Sequence, residues 1–261
     1  MINWFVERGS TYAEQIDNVI LIIALITGFW FFLTMGVFYY FLYKFQAKNV
    51  DRAMYIQGTE KKYKRFITWP HFVIIAMDVV IIVVAVRAWV HVKQHLPKAE
   101  ATVRIIGQQW AWTFVHPGPD RKLDTEDDIT TIDHLHVEVD KAYHYKLLAK
   151  DVIHSFSVPI FRLKQDAIPG RTITGWFEAT ITGSYDVQCA EMCGIGHGLM
   201  AARIHLRKAK EHRAWQKKWW RSRLNCNDGD PKKKANADVA RWHKMFGPAE
   251  KCQLAPLALG K

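Results

Sequence analysis

Residues 188–200 read QCAEMCGIGHGLM and set Cys189, Glu191, Cys193, His197 and Met200 within a short run. Thiolate, imidazole and thioether together are soft donors that favour copper; zinc takes the first two and has little use for methionine. The cysteines are four apart and His197 follows the second by four, so on a loop curling over the end of a sheet both sulfurs point into one site. A mononuclear blue-copper site needs one Cys, two His and a weak Met. Here there is a second Cys and one His too few. The missing imidazole has a candidate in His154, in KDVIHSFSVP at 150–159, between a strand and a Pro-terminated turn. Two bridging thiolates, two terminal imidazoles, one thioether and one backbone carbonyl complete a binuclear copper centre. A Cys189–Cys193 disulfide competes, but two cysteines four apart at a strand end are poorly placed for one. Taken singly, Met200 reads as core and His154 as a loop histidine. The joint pattern is what points to metal.

Such a site needs a rigid frame, and the chain from Ala101 onward supplies short alternating runs broken by turn residues. TVRIIG, TIDHLHVEVD, AYHYKLLAK, TITGWFEAT and GSYDVQCA predict strands of an antiparallel sandwich or barrel. Between two of them, HPGPDRKLDTEDDITTID carries Asp120, Asp124, Glu126, Asp127 and Asp128. Their spacing does not match an EF-hand, so a solvated acidic loop is expected rather than a calcium site.

Ahead of the strands lie two stretches too apolar for soluble helices. Residues 18–43 hold no charged side chain, and 69–92 hold Asp78 in mid-run and Arg87 near the end. Each is long enough to cross a bilayer core, which takes roughly 20 apolar residues. Glu7, Glu14 and Asp17 stand where a signal peptide would carry basic residues, so the first stretch reads as a retained span. The connecting loop, 44–68, carries Lys44, Lys48, Arg52, Lys61, Lys62, Lys64 and Arg65 against Asp51 and Glu60. By the positive-inside rule it is cytoplasmic, which puts both termini and the strand-rich part outside a plasma or inner membrane.

The formal charge of +11 first suggests nucleic acid as partner. Its location argues otherwise, because residues 207–261 hold 15 Lys and Arg against 5 Asp and Glu, and lie on the outer side. This tail opens as an amphipathic helix whose Trp215, Trp219 and Trp220, interleaved with basic residues, suit anionic headgroups or a partner subunit. A second short helix follows. Cys226 and Cys252 are a candidate tail disulfide. The expected division is a transmembrane hairpin at 1–95, a metal domain at 96–206 and a basic extension at 207–261.

From 18 to 206 the chain resembles subunit II of haem–copper cytochrome c oxidases, the CuA-bearing subunit. It has the hairpin of two spans, then GQQWAWTF, DVIHSFSVP, DAIPGR and CAEMCGIGHGLM, in that family's order. The resemblance implies a cupredoxin-like sandwich in which His154, Cys189, Cys193, His197 and Met200 bind two coppers through side chains and Glu191 through its carbonyl. It further implies that the Glu191 carboxylate reaches a magnesium ion shared with subunit I, and that Trp110 receives the electron from a c-type cytochrome. Asp151 and Arg171 are candidates to fix the imidazoles from behind. Ala111 stands where the family commonly has an aromatic. Glu60 and Asp78 are candidates for handling protons on the way to subunit I.

The implied function is electron transfer in a terminal oxidase: from a c-type cytochrome, free or held in a supercomplex, to haem in subunit I. That subunit reduces dioxygen to water and pumps protons. Two readings compete. The CuA subunit of a nitric oxide reductase would share every ligand, and a quinol-oxidase subunit would keep the sandwich without copper. The chain has no CxxCH, so it binds no covalent haem of its own.

Overall fold

The computed structural model describes residues 7–49, 52, 55–125 and 127–223. Cys226, Cys252, the expected second tail helix and Glu126 lie outside them. The chain divides into two compact units, Met1–Pro97 with Ile160–Arg162, and Lys98–Pro159 with Leu163–Lys261.

The first unit is built on two long helices. Helix α1 spans Ala13–Lys44 and α2 spans Lys61–Trp89, continuing through a π-helical turn at Val90–Gln94. A lipid-facing backbone must satisfy its own polar groups, and an uninterrupted helix does so. Both are long and apolar enough to cross a membrane, and the expected spans fall inside them. The Trp30 indole N–H of α1 donates to Met77 Sδ of α2 at 3.0 Å. At the N-terminal end of α1, Asp17 accepts from Arg8 Nε at 2.9 Å and Arg162 Nε at 2.7 Å. Glu60, at the N-cap of α2, and Asp78, within it, are exposed on this chain.

The second unit is a two-layer sandwich. In chain order its strands are β1 (Ala101–Gln108), β2 (Ala111–His116), β3 (Ile129–Ile132), β4 (His134–Glu138), β5 (Ala142–Ala149), β6 (His154–Val158), β7 (Leu163–Ala167), β8 (Ile173–Glu178), β9 (Gly183–Cys189) and β10 (Ala201–Arg207). One sheet runs β3-β2-β1-β5-β8 and the other β4-β10-β9-β6-β7. Strict alternation along β1 turns Val103 and Ile105 inward, and Trp112, Phe114, Leu147, Phe156 and Phe177 join them in the core. Most ladders are antiparallel, as expected, but β1 pairs with β5 and β4 with β10 in parallel.

TIDHLHVEVD, read as one strand, is two. Asp133 takes a left-handed φ of 56° between β3 and β4, and the chain changes sheets there. Its carboxylate accepts from the Trp112 backbone N–H at 2.8 Å, which pins the switch. An aspartate tolerates this conformation better than most residues.

Helix α3 (Ala209–Arg223) packs on the sandwich itself. Trp215 stacks on His136 with centroids 4.0 Å apart, and Trp220 is buried. Two of the three tryptophans expected at headgroups or on a partner therefore cover this domain's own sheet.

Candidate metal centre

The end of β9, the loop after it and the start of β6 bring the expected donors together. Cys189 Sγ lies 3.8 Å from Cys193 Sγ, 4.0 Å from His154 Nδ1 and 3.3 Å from the Glu191 carbonyl oxygen. Cys193 Sγ lies 3.6 Å from His197 Nδ1 and 3.8 Å from Met200 Sδ. The ligand atoms of His154, Cys189 and Cys193 all fall within 4.8 Å of one another. Both cysteines are free. The set therefore closes around one small volume with the two thiols at its middle, flanked by one imidazole each. That donor chemistry fits a pair of copper ions; a tetrahedral zinc on two thiolates and two imidazoles would leave the thioether and the Glu191 carbonyl in excess.

Antiparallel pairing fixes the frame: Phe156 faces Cys189 in the β6/β9 ladder, and Ala201 faces Gln188 in β10/β9. His154, expected between a strand and a Pro-terminated turn, opens β6 and is fully buried. Trp112 lies edge-on beneath its ring, at 6.0 Å between centroids. The Asp151 carboxylate accepts from His154 Nε2–H at 2.8 Å, so the lone pair is left on Nδ1, the nitrogen facing Cys189. Asp151 also accepts from the backbone N–H groups of Gln109 at 2.6 Å and Val152 at 2.7 Å. Burial opposes its ionisation, yet these donors and His154 hold the carboxyl below the usual aspartate range. Arg171, the other candidate, lies exposed in the turn after Ile168 and makes no side-chain hydrogen bond to His154 among the described residues.

Burial, and then the neighbouring Cys189, push the Cys193 thiol up to about 11. Without metal the site keeps that proton at neutral pH, and copper must expel it.

Trp110 is partly exposed, at 40%. Its indole N–H donates to the Cys193 carbonyl at 3.2 Å, and Gln109 Nε2 donates to the same oxygen at 2.8 Å. One ligand loop thus carries the expected electron-receiving ring. Sequence reasoning missed Gln109, which only its place beside Trp110 could have suggested. It also missed Gly196, where an added Cβ would lie 2.5 Å from the Trp110 ring, so that only glycine admits the indole.

The acidic loop between β2 and β3 lies at the His116 end of β2, away from Trp110 at the other. Its described carboxylates are spent locally. Asp124 makes paired contacts with Arg104 at 2.7 and 2.8 Å, and Asp127 is buried, accepting from Thr125 Oγ at 2.6 Å.

Residues 101–206 match the family model described as cytochrome c oxidase subunit II, periplasmic domain. The alternative cytochrome c oxidase subunit 2 of Bradyrhizobium diazoefficiens is 30% identical over 234 residues, covering 81% of this chain and 83% of that protein. The cytochrome c oxidase subunit 2 of Cereibacter sphaeroides is 26% identical over 240 residues, covering 79% and 75%. A crystal structure of the periplasmic domain of subunit II of cytochrome oxidase (CoxB) of Bradyrhizobium japonicum is 30% identical, with a TM-score of 0.43, covering 49% of this chain and 99% of that one. With the two apolar helices and the cysteine–histidine cluster already in place, the chain belongs to the cytochrome c oxidase subunit II family, as a membrane-anchored subunit of a haem–copper oxidase with a periplasmic cupredoxin-like domain.

Proposed function

We propose that this chain is the electron-receiving subunit of a terminal oxidase, accepting single electrons from a c-type cytochrome near Trp110 and delivering them to haem in subunit I. The observation that carries the reading is the closed donor set, two thiols 3.8 Å apart with an imidazole against each. His154, Cys189, Cys193, His197 and Met200 hold two copper ions by side chains and Glu191 by its carbonyl. Bound there, the pair would supply one-electron redox chemistry.

The protein's own residues do the rest. Asp151 fixes the tautomer and tilt of His154. Trp112 and Phe156 keep water from its far side. The Trp110 N–H and the Cys193 carbonyl join the exposed ring to the ligand loop by one hydrogen bond. Exposed Met192, Ile195 and Leu199 give that loop an apolar face for a partner.

The cytoplasmic loop 44–68, both termini outside, and coupling to proton pumping in subunit I belong to the same reading. So does the division at 1–95, 96–206 and 207–261. A magnesium ion at the Glu191 carboxylate, which is exposed on this chain, rests on the family resemblance.

Copper analysis with electron paramagnetic resonance of the purified chain tests the proposal. Two coppers per chain and a spin spread over both are expected, and Cys189→Ser should abolish them along with the near-infrared absorption. A single copper, or a spin confined to one nucleus, would overturn it.

A further inference from the structure

Away from the dicopper site, the outer face of the β4/β10 ladder carries an imidazole pair that the oxidase function does not use. We propose that His134 and His205 form a second, peripheral site for a divalent transition-metal ion of the zinc or copper(II) class, oriented by Ser184. His134 Nδ1 and His205 Nε2 lie 3.0 Å apart, with ring planes 22° from parallel. They come from neighbouring strands whose parallel register sets Arg203 against His134 and His205 against His136. The ladder, not chance rotamers, therefore brings them together. His134 is exposed and His205 half-buried, so an ion can reach both.

Two nitrogens each about 2.0–2.1 Å from a tetrahedral ion stand about 3.3 Å apart. The observed gap needs only a few tenths of an ångström of opening. The other nitrogen of His205, Nδ1, lies 2.8 Å from Ser184 Oγ on β9, opposite in the antiparallel ladder. A metal-binding imidazole characteristically has its second nitrogen held in this way. With Ser184 accepting from Nδ1–H, the His205 lone pair sits on Nε2, facing His134. In the free protein His134 fills the gap with its own Nδ1–H. Binding moves that hydrogen to His134 Nε2, which faces solvent, so neither ring loses its net proton. Burial and then the nearby Arg207 hold the His205 pKa down to about 4, which keeps its lone pair available at neutral pH. His136 stacks on His205 at 4.6 Å, and its Nδ1 accepts from Arg207 Nη1 at 2.6 Å. That ring therefore buttresses the pair and is not a third ligand. Solvent completes the shell, and a surface site of moderate affinity is expected.

The probe is zinc, which is silent in copper spectroscopy. The copper-loaded full chain in detergent is titrated by equilibrium dialysis, with zinc and copper both counted. After a chelating resin has stripped copper beyond the two ions of the dicopper site, wild type should hold one zinc that His205→Gln and His134→Asn each lose. Ser184→Ala should keep it about tenfold to a hundredfold more weakly. The near-infrared absorption should be unchanged in all three, which separates this site from the dicopper proposal and shows the sandwich intact. His134 is exposed, so His134→Asn decides the matter if His205→Gln misfolds. Equal zinc stoichiometry and affinity in wild type and His134→Asn would overturn the site.

Discussion

The sandwich has two unlike ends. At one, the metal loop presents apolar side chains outward, Ile195 being 96% exposed, while thiols, imidazoles and a thioether converge beneath. At the other, His116 on β2 and His212 on α3 are buried beside a loop whose described carboxylates are tied to its own backbone and to Arg104. Exposed apolar surface serves association, whereas buried neutral imidazoles and internally paired acids serve cohesion. The contrast favours the metal loop over residues 117–128 as the docking face for the donor cytochrome proposed above.

The largest effect that could break this contrast is acid lability of the far end. His116 donates from Nδ1 to the Ile129 carbonyl and accepts at Nε2 from the His136 N–H, so its neutral form is wired in at both nitrogens. Burial depresses His116 to about 3 and His212 to about 4. Unfolded, both return to about 6.5, and the unfolded chain then binds protons that the folded one refuses. The share of stability these two rings supply is thus complete above about pH 6.5 and falls as pH drops toward 4, by about 2–3 kcal/mol between pH 7 and 5.5. Chemical denaturation at the two pH values measures it, and a flat profile would show that these rings are hydrated.

A smaller effect sharpens the metal end. Asp151→Asn removes the charge that sets the His154 tautomer and should weaken copper affinity about tenfold to a hundredfold with the fold retained. Competition against a copper chelator reads it; unchanged affinity would mean that packing against Trp112 alone orients the ring. The smallest expected change is at Asp124→Asn. Losing an exposed, solvent-screened contact to Arg104 should leave stability nearly unchanged, and turnover with the donor should keep its salt dependence. A marked fall in turnover would return the docking face to the acidic loop.

The metal loop was legible because its donors are nearly contiguous in CAEMCGIGHGLM and need only one distant residue, His154. The two spans were legible from their apolar length. The parallel pairings of β1 with β5 and β4 with β10 were not, since they join segments far apart in sequence and depend on a sheet change at Asp133. The amphipathic character of α3 showed in its tryptophans, but periodicity says that a face is buried and not against what. His136, which Trp215 covers, looks in sequence like any polar position of an alternating strand.

Position 196 acts as a spacer gauge between the indole and the metal loop. A lone hydrogen there sets how near the indole may rest to the sulfur-bearing loop, and a methyl group would evict it. Relatives with a bulkier residue at the matching place must seat their aromatic elsewhere, so the identity of this one small residue forecasts which of them share this seating of the ring.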